Sequence, residues 1–234
     1  MVPTVLDSPT DHLGDELDED GNEIFEIALF PIPGSVSFPL STVPLHIFEP
    51  RYRMLMKDAV RLNRRVGICH TRKVIHAAKT NQSTEEALRS NQATYDPFKV
   101  FSAGVPEILD ILPDGRLMVQ IAMDSRYEFI EDVQMLPYRI ARCRRYEDQP
   151  GPRSIEQAEH LRERINARLV QMSSERGGEL AMLLESQNWQ KLSAEEFSFL
   201  IFQIIRFDAD EMQEALEMRA PDLRLEILAR ALEA

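Results

Sequence analysis

Apolar and polar positions change their period several times along this chain, and the changes mark its organisation. The first patterned stretch, IFEIALF (24–30), is almost continuously apolar and aromatic, which predicts a buried strand. PIPGSVSFPLSTVP (31–44) follows, with prolines at 31, 33, 39 and 44. Each lacks a backbone donor, so short strand pieces joined at proline corners are expected in place of a continuous central strand. Beyond them Leu45 and Ile47 face one side of an extended segment, and His46 and Phe48 face the other. Pro50 suits the first position of a helix, where its missing N–H would be unpaired anyway. Tyr52, Leu55, Met56, Ala59 and Leu62 recur behind it at helical spacing. Glu49 lies four residues before Arg53, the favourable order for a helical ion pair. VPLHIFEPRY (43–52) is thus a strand-to-helix corner.

RRVGICH (64–70) reads as another strand. Residues 72–98 are polar and aperiodic apart from a short helical pattern near Thr84, and form a long excursion. FSAGVPEILDI (101–111), the turn Pro113-Asp114-Gly115 and RLMVQIAMDSRYEFIE (116–131) predict a β-hairpin. PYRIARCRRYE (137–147) is a further strand, with Ile140, Arg142 and Arg144 on one face and Ala141 and Cys143 on the other. QPGPRS (149–154) is a linker by its proline and glycine content, and the pattern turns helical after it. Ser154 and Gln157 form a capping-box pattern ahead of Ala158, Leu161, Ile165, Leu169 and Met172, and Gly177-Gly178 ends that helix. A short helix is expected over 178–187. Ser193 and Glu196 make a second box before Phe197, Leu200, Ile201, Ile204 and Ile205. Asp208 and Glu211 resemble a third before Met212 and Leu216, and Pro221 opens a last helix bearing Leu225, Leu228 and Leu232. The expectation is an α+β chain: a β-rich part over 23–148 and an α-helical part over 149–234.

Charge changes this picture only at the start. The formal net charge of −12 is concentrated in residues 1–26, which hold nine acids and no Lys or Arg; without them it is −3. Residues 1–22 are too polar to offset their ordering entropy and are expected to be a disordered acidic tail. A near-neutral body behind such a tail offers no electrostatic footprint for nucleic acid. MVPTVLDSPT has neither the basic start nor the apolar core of a signal peptide. FSFLIFQIIRF (197–207) is too short for a membrane span and contains Gln203. Two cysteines make no disulfide scaffold, so the expected compartment is the cytoplasm, with no membrane contact.

Catalytic motifs are missing. The chain contains no G-x-x-x-x-G-K-[ST] phosphate loop, G-x-G-x-x-G turn, G-x-S-x-G elbow or H-E-x-x-H helix. Cys69, His70 and His76 are soft-ligand types, but Cys69 and His70 are adjacent on a strand and face opposite ways, so neither a metal site nor a Cys–His pair assembles. No catalytic residue, cofactor or metal is therefore expected. Arginines 139–145 are a candidate phosphate or RNA contact, yet they lack an aromatic platform and run into Glu147 and Asp148; a solvated face paired with acids is the plainer reading. Phe30, Ile32, Val36, Phe38 and Phe48 form the densest apolar group on irregular backbone, and proline corners leave edges where an extended chain docks. His46, Arg51 and Tyr52 either stitch the corner or rim such a groove. The candidate polypeptide-binding residues are Phe38, His46, Phe48, Arg51 and Tyr52.

FPIPGSVSFPLSTVPLHIFEPRYRMLM (30–56) resembles the opening of the stand-alone Lon-type substrate-binding domain family. GVPEILDILPDGRLMVQIAMDSRYEFIED, PYRIARCRRYED and ALEMRAPDLRLEILARAL are similar to its later segments, so the likeness covers most of residues 24–233. It implies a PUA-like β-barrel followed by an α-helical bundle, together one domain. It also implies capture of unfolded or partly folded polypeptides, the role this region has in Lon-type ATP-dependent proteases, with a protease or chaperone as partner and no ATPase or protease chemistry in this chain. PUA-like barrels elsewhere bind RNA, the alternative that the pI of about 5.0 disfavours. The sequence departs from the family pattern where Asp124 or Ser125 stands in place of a frequent glycine, and in the length of the 72–98 excursion.

Overall fold

The structure is a computed structural model that describes residues 16–18, 21–76, 94–174 and 179–233. Strand β1 (Glu16–Leu17) pairs antiparallel with β2 (Glu23–Pro31), and the Asp18 carboxylate closes the turn by accepting from the Asn22 N–H at 2.7 Å. Most of the stretch expected to be structureless through residue 22 lies outside the described residues. The part inside them, Glu16–Leu17, is a strand and not coil, because its backbone groups pair with the exposed edge of β2.

β2 joins β4 (Val66–Cys69), β7 (Val100–Gly104), β10 (Ser125–Gln134) and β11 (Ile140–Arg145) in the order β2–β11–β10–β7–β4. β4 returns to β2 in parallel, from Ala28 opposite Val66 to Pro31 opposite Cys69, which closes the barrel. Phe25, Ile27, Leu29, Phe101, Tyr127 and Cys143 fill the interior, with Phe25 and Tyr127 edge to face at 5.4 Å. Ala28 and Phe30 on the opposite side of β2 pack in a second cluster. Burial on both faces is why this strand reads as a continuous apolar run.

That second cluster lies under a three-stranded sheet ordered β3 (Thr42–Ile47), β9 (Leu117–Ala122), β8 (Pro106–Ile111), and under helix α1 (Pro50–Arg61). The segments 101–111 and 116–131 each divide, one part serving the barrel and the other this sheet. Gly104 marks the crossing: a Cβ there would lie 1.8 Å from the Ala122 carbonyl oxygen, so no larger residue fits. In α1, Tyr52, Leu55, Met56 and Ala59 are buried as the spacing predicts. Leu62 is instead the exposed C-cap, because Asn63 takes a left-handed φ of 49° and turns the chain away. The ends of the polar excursion form a ribbon of β5 (Thr71–His76) and β6 (Thr94–Pro97); the helical pattern near Thr84 lies outside the described residues.

The C-terminal part comprises α2 (Ile155–Ser174), α3 (Glu179–Glu185), α4 (Gln187–Gln190), α5 (Ala194–Leu200), a 3-10 turn (Ile201–Gln203), α6 (Ala209–Glu217) and α7 (Pro221–Glu233). The boxes at Ser154/Gln157 and Ser193/Glu196 are formed reciprocally, and Asp208 caps the Glu211 N–H at 3.0 Å. The Gly177-Gly178 stop lies outside the described residues. Met172, expected on the buried face of α2, is exposed. The helix expected through Ile205 ends at Leu200. Asp208 must be extended to cap α6, so the chain has to leave the helix before it.

The β and helical parts share one core. Phe38 and Val100 belong to the cluster containing Phe197, Phe202, Leu225 and Leu228. Two buried arginines cross the same junction: Arg126 from β10 and Arg224 from α7 both pair with Asp148. His70 adds a third link. Its Nδ1 accepts from the Gly34 N–H at 3.1 Å, which leaves Nε2 to carry the proton toward Asp210 Oδ1 at 3.2 Å.

Candidate functional site

Both cysteines are core residues inside the barrel. Burial pushes the Cys69 thiol well up, helped by neighbouring Cys143, and burial raises Cys143 likewise. A nucleophile needs the thiolate, so neither is suited to the role. Ellman's reagent is therefore expected to leave both thiols unmodified in the native protein at pH 8 and to titrate both after denaturation. Among the described residues, no group of three or more His, Cys, Asp or Glu could hold a metal ion, and no helix is long and apolar enough to cross a membrane.

Three of the four arginines at 139–145 are paired with acids of the neighbour strand, and Arg145 donates to the Ser125 hydroxyl at 2.8 Å. Arg142 meets Glu131 at 3.2 Å, Arg144 meets Glu128 at 2.8 Å, and Arg139 pairs with Asp132. Acids placed opposite in register leave little net positive charge for a phosphate backbone.

The five candidate residues separate into core and surface. Phe38 is 2% exposed and stacks on Phe202 with ring centroids 4.4 Å apart and planes within 6°. Tyr52 is 7% exposed and sits edge to face with Phe30 at 4.4 Å, its hydroxyl pKa raised by burial. Arg51 lies over the Tyr52 ring at 4.5 Å and bonds the Glu49 carboxylate at 3.0 Å. Arg51 and Tyr52 therefore stitch the corner, and the Glu49 carboxylate reaches Arg51. His46 and Phe48 do reach the surface; His46 stands opposite Met118 on the outer face of the β3–β9–β8 sheet, and Phe48 is 41% exposed just beyond the strand.

The wider apolar group divides the same way. Phe30 and Ile32 join the cluster under α1, Val36 and Phe38 join the helical core, and Phe48 stays outside. What the loop 31–44 builds is a groove of about 420 Å³ between β3 and the helical part. Phe38 and Phe202 form its floor, and Val36, Val43 and Pro44 line one side. Arg206, Phe207 and Met212 line the other. These last residues come from FSFLIFQIIRF and the helix after it, which read simply as buried helix. The chain leaves that helix after Leu200, and this exit turns Phe202 and Phe207 toward the loop.

β3 also lends the groove its backbone. It ends its sheet, and its only partner among the described residues is β9. The Ser41 carbonyl accepts from the Met123 N–H at 2.8 Å, so by alternation Val43, Leu45 and Ile47 turn their backbone groups toward β9. Thr42, Pro44 and His46 turn theirs outward. Proline, which has no donor to lose, occupies the middle outward position, which suits an edge strand and limits sheet-to-sheet association. The arrangement offers an apolar floor, two outward N–H groups and an exposed aromatic at the end of a strand spanning roughly 20 Å.

Comparison with known proteins places this geometry. The family model of the ATP-dependent protease La (LON) substrate-binding domain matches residues 26–234. Lon protease 1 of Herpetosiphon aurantiacus is 29% identical over 119 residues, which are 51% of this chain and 13% of that protein. The chain thus aligns with only a small part of this relative's length. The Lon N-terminal domain protein of Xanthomonas campestris superposes with a TM-score of 0.58 at 18% identity, covering 88% of this chain and 97% of that one. The N-terminal domain of the Mycobacterium avium complex Lon protease gives a TM-score of 0.62 at 11% identity, covering 89% and 98%. These two share the fold: the α+β architecture of closed PUA-like barrel and C-terminal helices that the sequence resemblance implies. With the family model spanning nearly the whole described chain, this protein belongs to the LON substrate-binding domain family.

Proposed function

We propose that this chain is a non-enzymatic module that captures unfolded or partly folded polypeptide in extended form, in the cytoplasm, for a partner protease or chaperone. The observation that carries the reading is the coupling of a groove with an apolar floor to the outward edge of β3. Edge backbone groups give affinity without regard to sequence, and a neighbouring apolar floor selects chains that expose hydrophobic side chains. Folded proteins offer neither a free extended backbone nor contiguous apolar side chains, so they are excluded. Of the five candidate residues, His46 and Phe48 are the surface contacts. Phe38 supports the groove from beneath, and Arg51 and Tyr52 hold the corner that presents Phe48.

Hydrogen exchange tests the mode directly. Saturation with a reduced, carboxymethylated polypeptide is expected to slow amide exchange at Thr42 and His46; slowing elsewhere with these two unchanged would refute docking along β3. Phe48→Glu is expected to weaken the same polypeptide roughly tenfold, as loss of an exposed aromatic anchor does. Its thermal midpoint should stay that of the parent, because the side chain packs in none of the three core clusters.

A further inference from the structure

Among the described residues lining the groove, Arg206 alone carries a charge. It is exposed, and among the described residues it takes part in no hydrogen bond or ion pair. The nearest acids in sequence are engaged elsewhere: Asp208 caps the Glu211 N–H at 3.0 Å, and Asp210 faces His70 at 3.2 Å. Neither lines the groove. The arginines that lie over aromatic rings all have a partner, which is the Ser125 hydroxyl for Arg145, the Glu147 carbonyl for Arg219 and a carboxylate for the rest. Arg126 and Arg224 share Asp148, Arg51 holds Glu49, and Arg65 holds Asp124 at 2.7 Å. A single unpaired guanidinium beside Phe202, Phe207 and Met212 gives the groove both an apolar and a positive character.

From this geometry we infer that the groove takes extended polypeptide segments in which apolar residues stand next to an aspartate or glutamate, whose carboxylate pairs with Arg206. The inference rests on the polypeptide-docking reading and adds the class of segment preferred. The groove runs on into the open edge of β3, so an internal stretch of chain can pass through. A chain terminus would need donors for both carboxylate oxygens at one closed end, and the lining supplies one cation on the rim. A carboxylate side chain is the group that fits. Apolar walls on one side of the guanidinium strengthen the pair relative to open water, while its exposure keeps the gain modest and salt-sensitive.

The test uses fluorescein-labelled peptides that alternate Val, Phe and Leu with Ser, all amidated at the C-terminus. Aspartate, asparagine or lysine replaces each serine in turn, and anisotropy titrations follow with the full chain. For at least one position, aspartate is expected to bind about threefold to fivefold tighter than asparagine, and lysine weaker than both. Arg206→Gln should flatten the order and Arg206→Glu should invert it, and raising the ionic strength should compress it. Saturable binding with equal affinity for all three residues at every position would overturn the inference and leave the docking reading standing. So would an aspartate preference that survives in Arg206→Gln. Failure of every peptide to bind would overturn both.

Discussion

Replacing Asp148 with alanine is expected to cost about 3–5 kcal/mol of stability, because it removes the one carboxylate between two buried cations. Arg224 is 0% exposed and donates to both Asp148 oxygens, at 2.7 and 2.5 Å. Arg126 bonds the same carboxylate and sends its other nitrogen to the Leu216 and Met218 carbonyls at 2.6 and 2.7 Å. Both guanidinium groups lie over the Phe199 ring, at 5.1 and 4.0 Å. Without Asp148, two like charges would face each other in an apolar junction with only carbonyls and the Ser198 hydroxyl for company. With Asp148 in place, burial pushes the Arg126 pKa down to about 10, so below that pH it is charged in the folded and unfolded parent alike. A folded value below the unfolded one makes the burial penalty full below about pH 10 and relieved only above it, so this group adds no slope to stability between about pH 6 and 8. Urea unfolding at pH 7 should show a lowered midpoint in the variant. A midpoint unchanged from the parent would mean that the carboxylate does not hold the barrel to the helices.

Phe38→Ala is expected to lower stability by about 3–5 kcal/mol, as truncation of a buried phenylalanine does. The ring comes from the proline-rich loop of the β part but stacks on Phe202 at 4.4 Å and leans on Phe199 at 6.4 Å. Its loss would open a cavity in the cluster joining both parts and remove the groove floor at the same stroke. Urea midpoints should separate it from Phe48→Glu, predicted to weaken binding at unchanged stability. Equal stability of the two variants would contradict the assignment of Phe38 to the core.

Local rules made the corner at 43–52 legible in the sequence. Alternation placed Ile47 and His46 on opposite faces, proline opened α1, and two capping boxes formed as spaced. Each depends on residues within one turn or one strand pair. Phe38 and Phe48 look alike at that range: both are phenylalanines in proline-cornered chain. Their fates differ because Phe202, more than 160 residues beyond Phe38 in the sequence, covers one ring, while the other stays 41% exposed. Arg126 and Arg224 also lacked a local signal. Arg126 sits in a half-exposed strand pattern and Arg224 in an amphipathic helix, and only the docking of α7 on the barrel brings both to Asp148. The groove was half visible. Its loop side stood out as apolar residues on irregular backbone, while its helical side depended on where α5 stops, set by the need of Asp208 to cap the helix beyond it.

Fluorescence anisotropy of a labelled, permanently unfolded polypeptide titrated with the full chain tests the central claim most directly, with the folded parent of that polypeptide as control. Saturable binding of the unfolded form, abolished by excess unlabelled unfolded chain and absent for the folded parent, is the predicted result. Equal binding of folded and unfolded forms, or of neither, would contradict capture of extended polypeptide at the β3 groove.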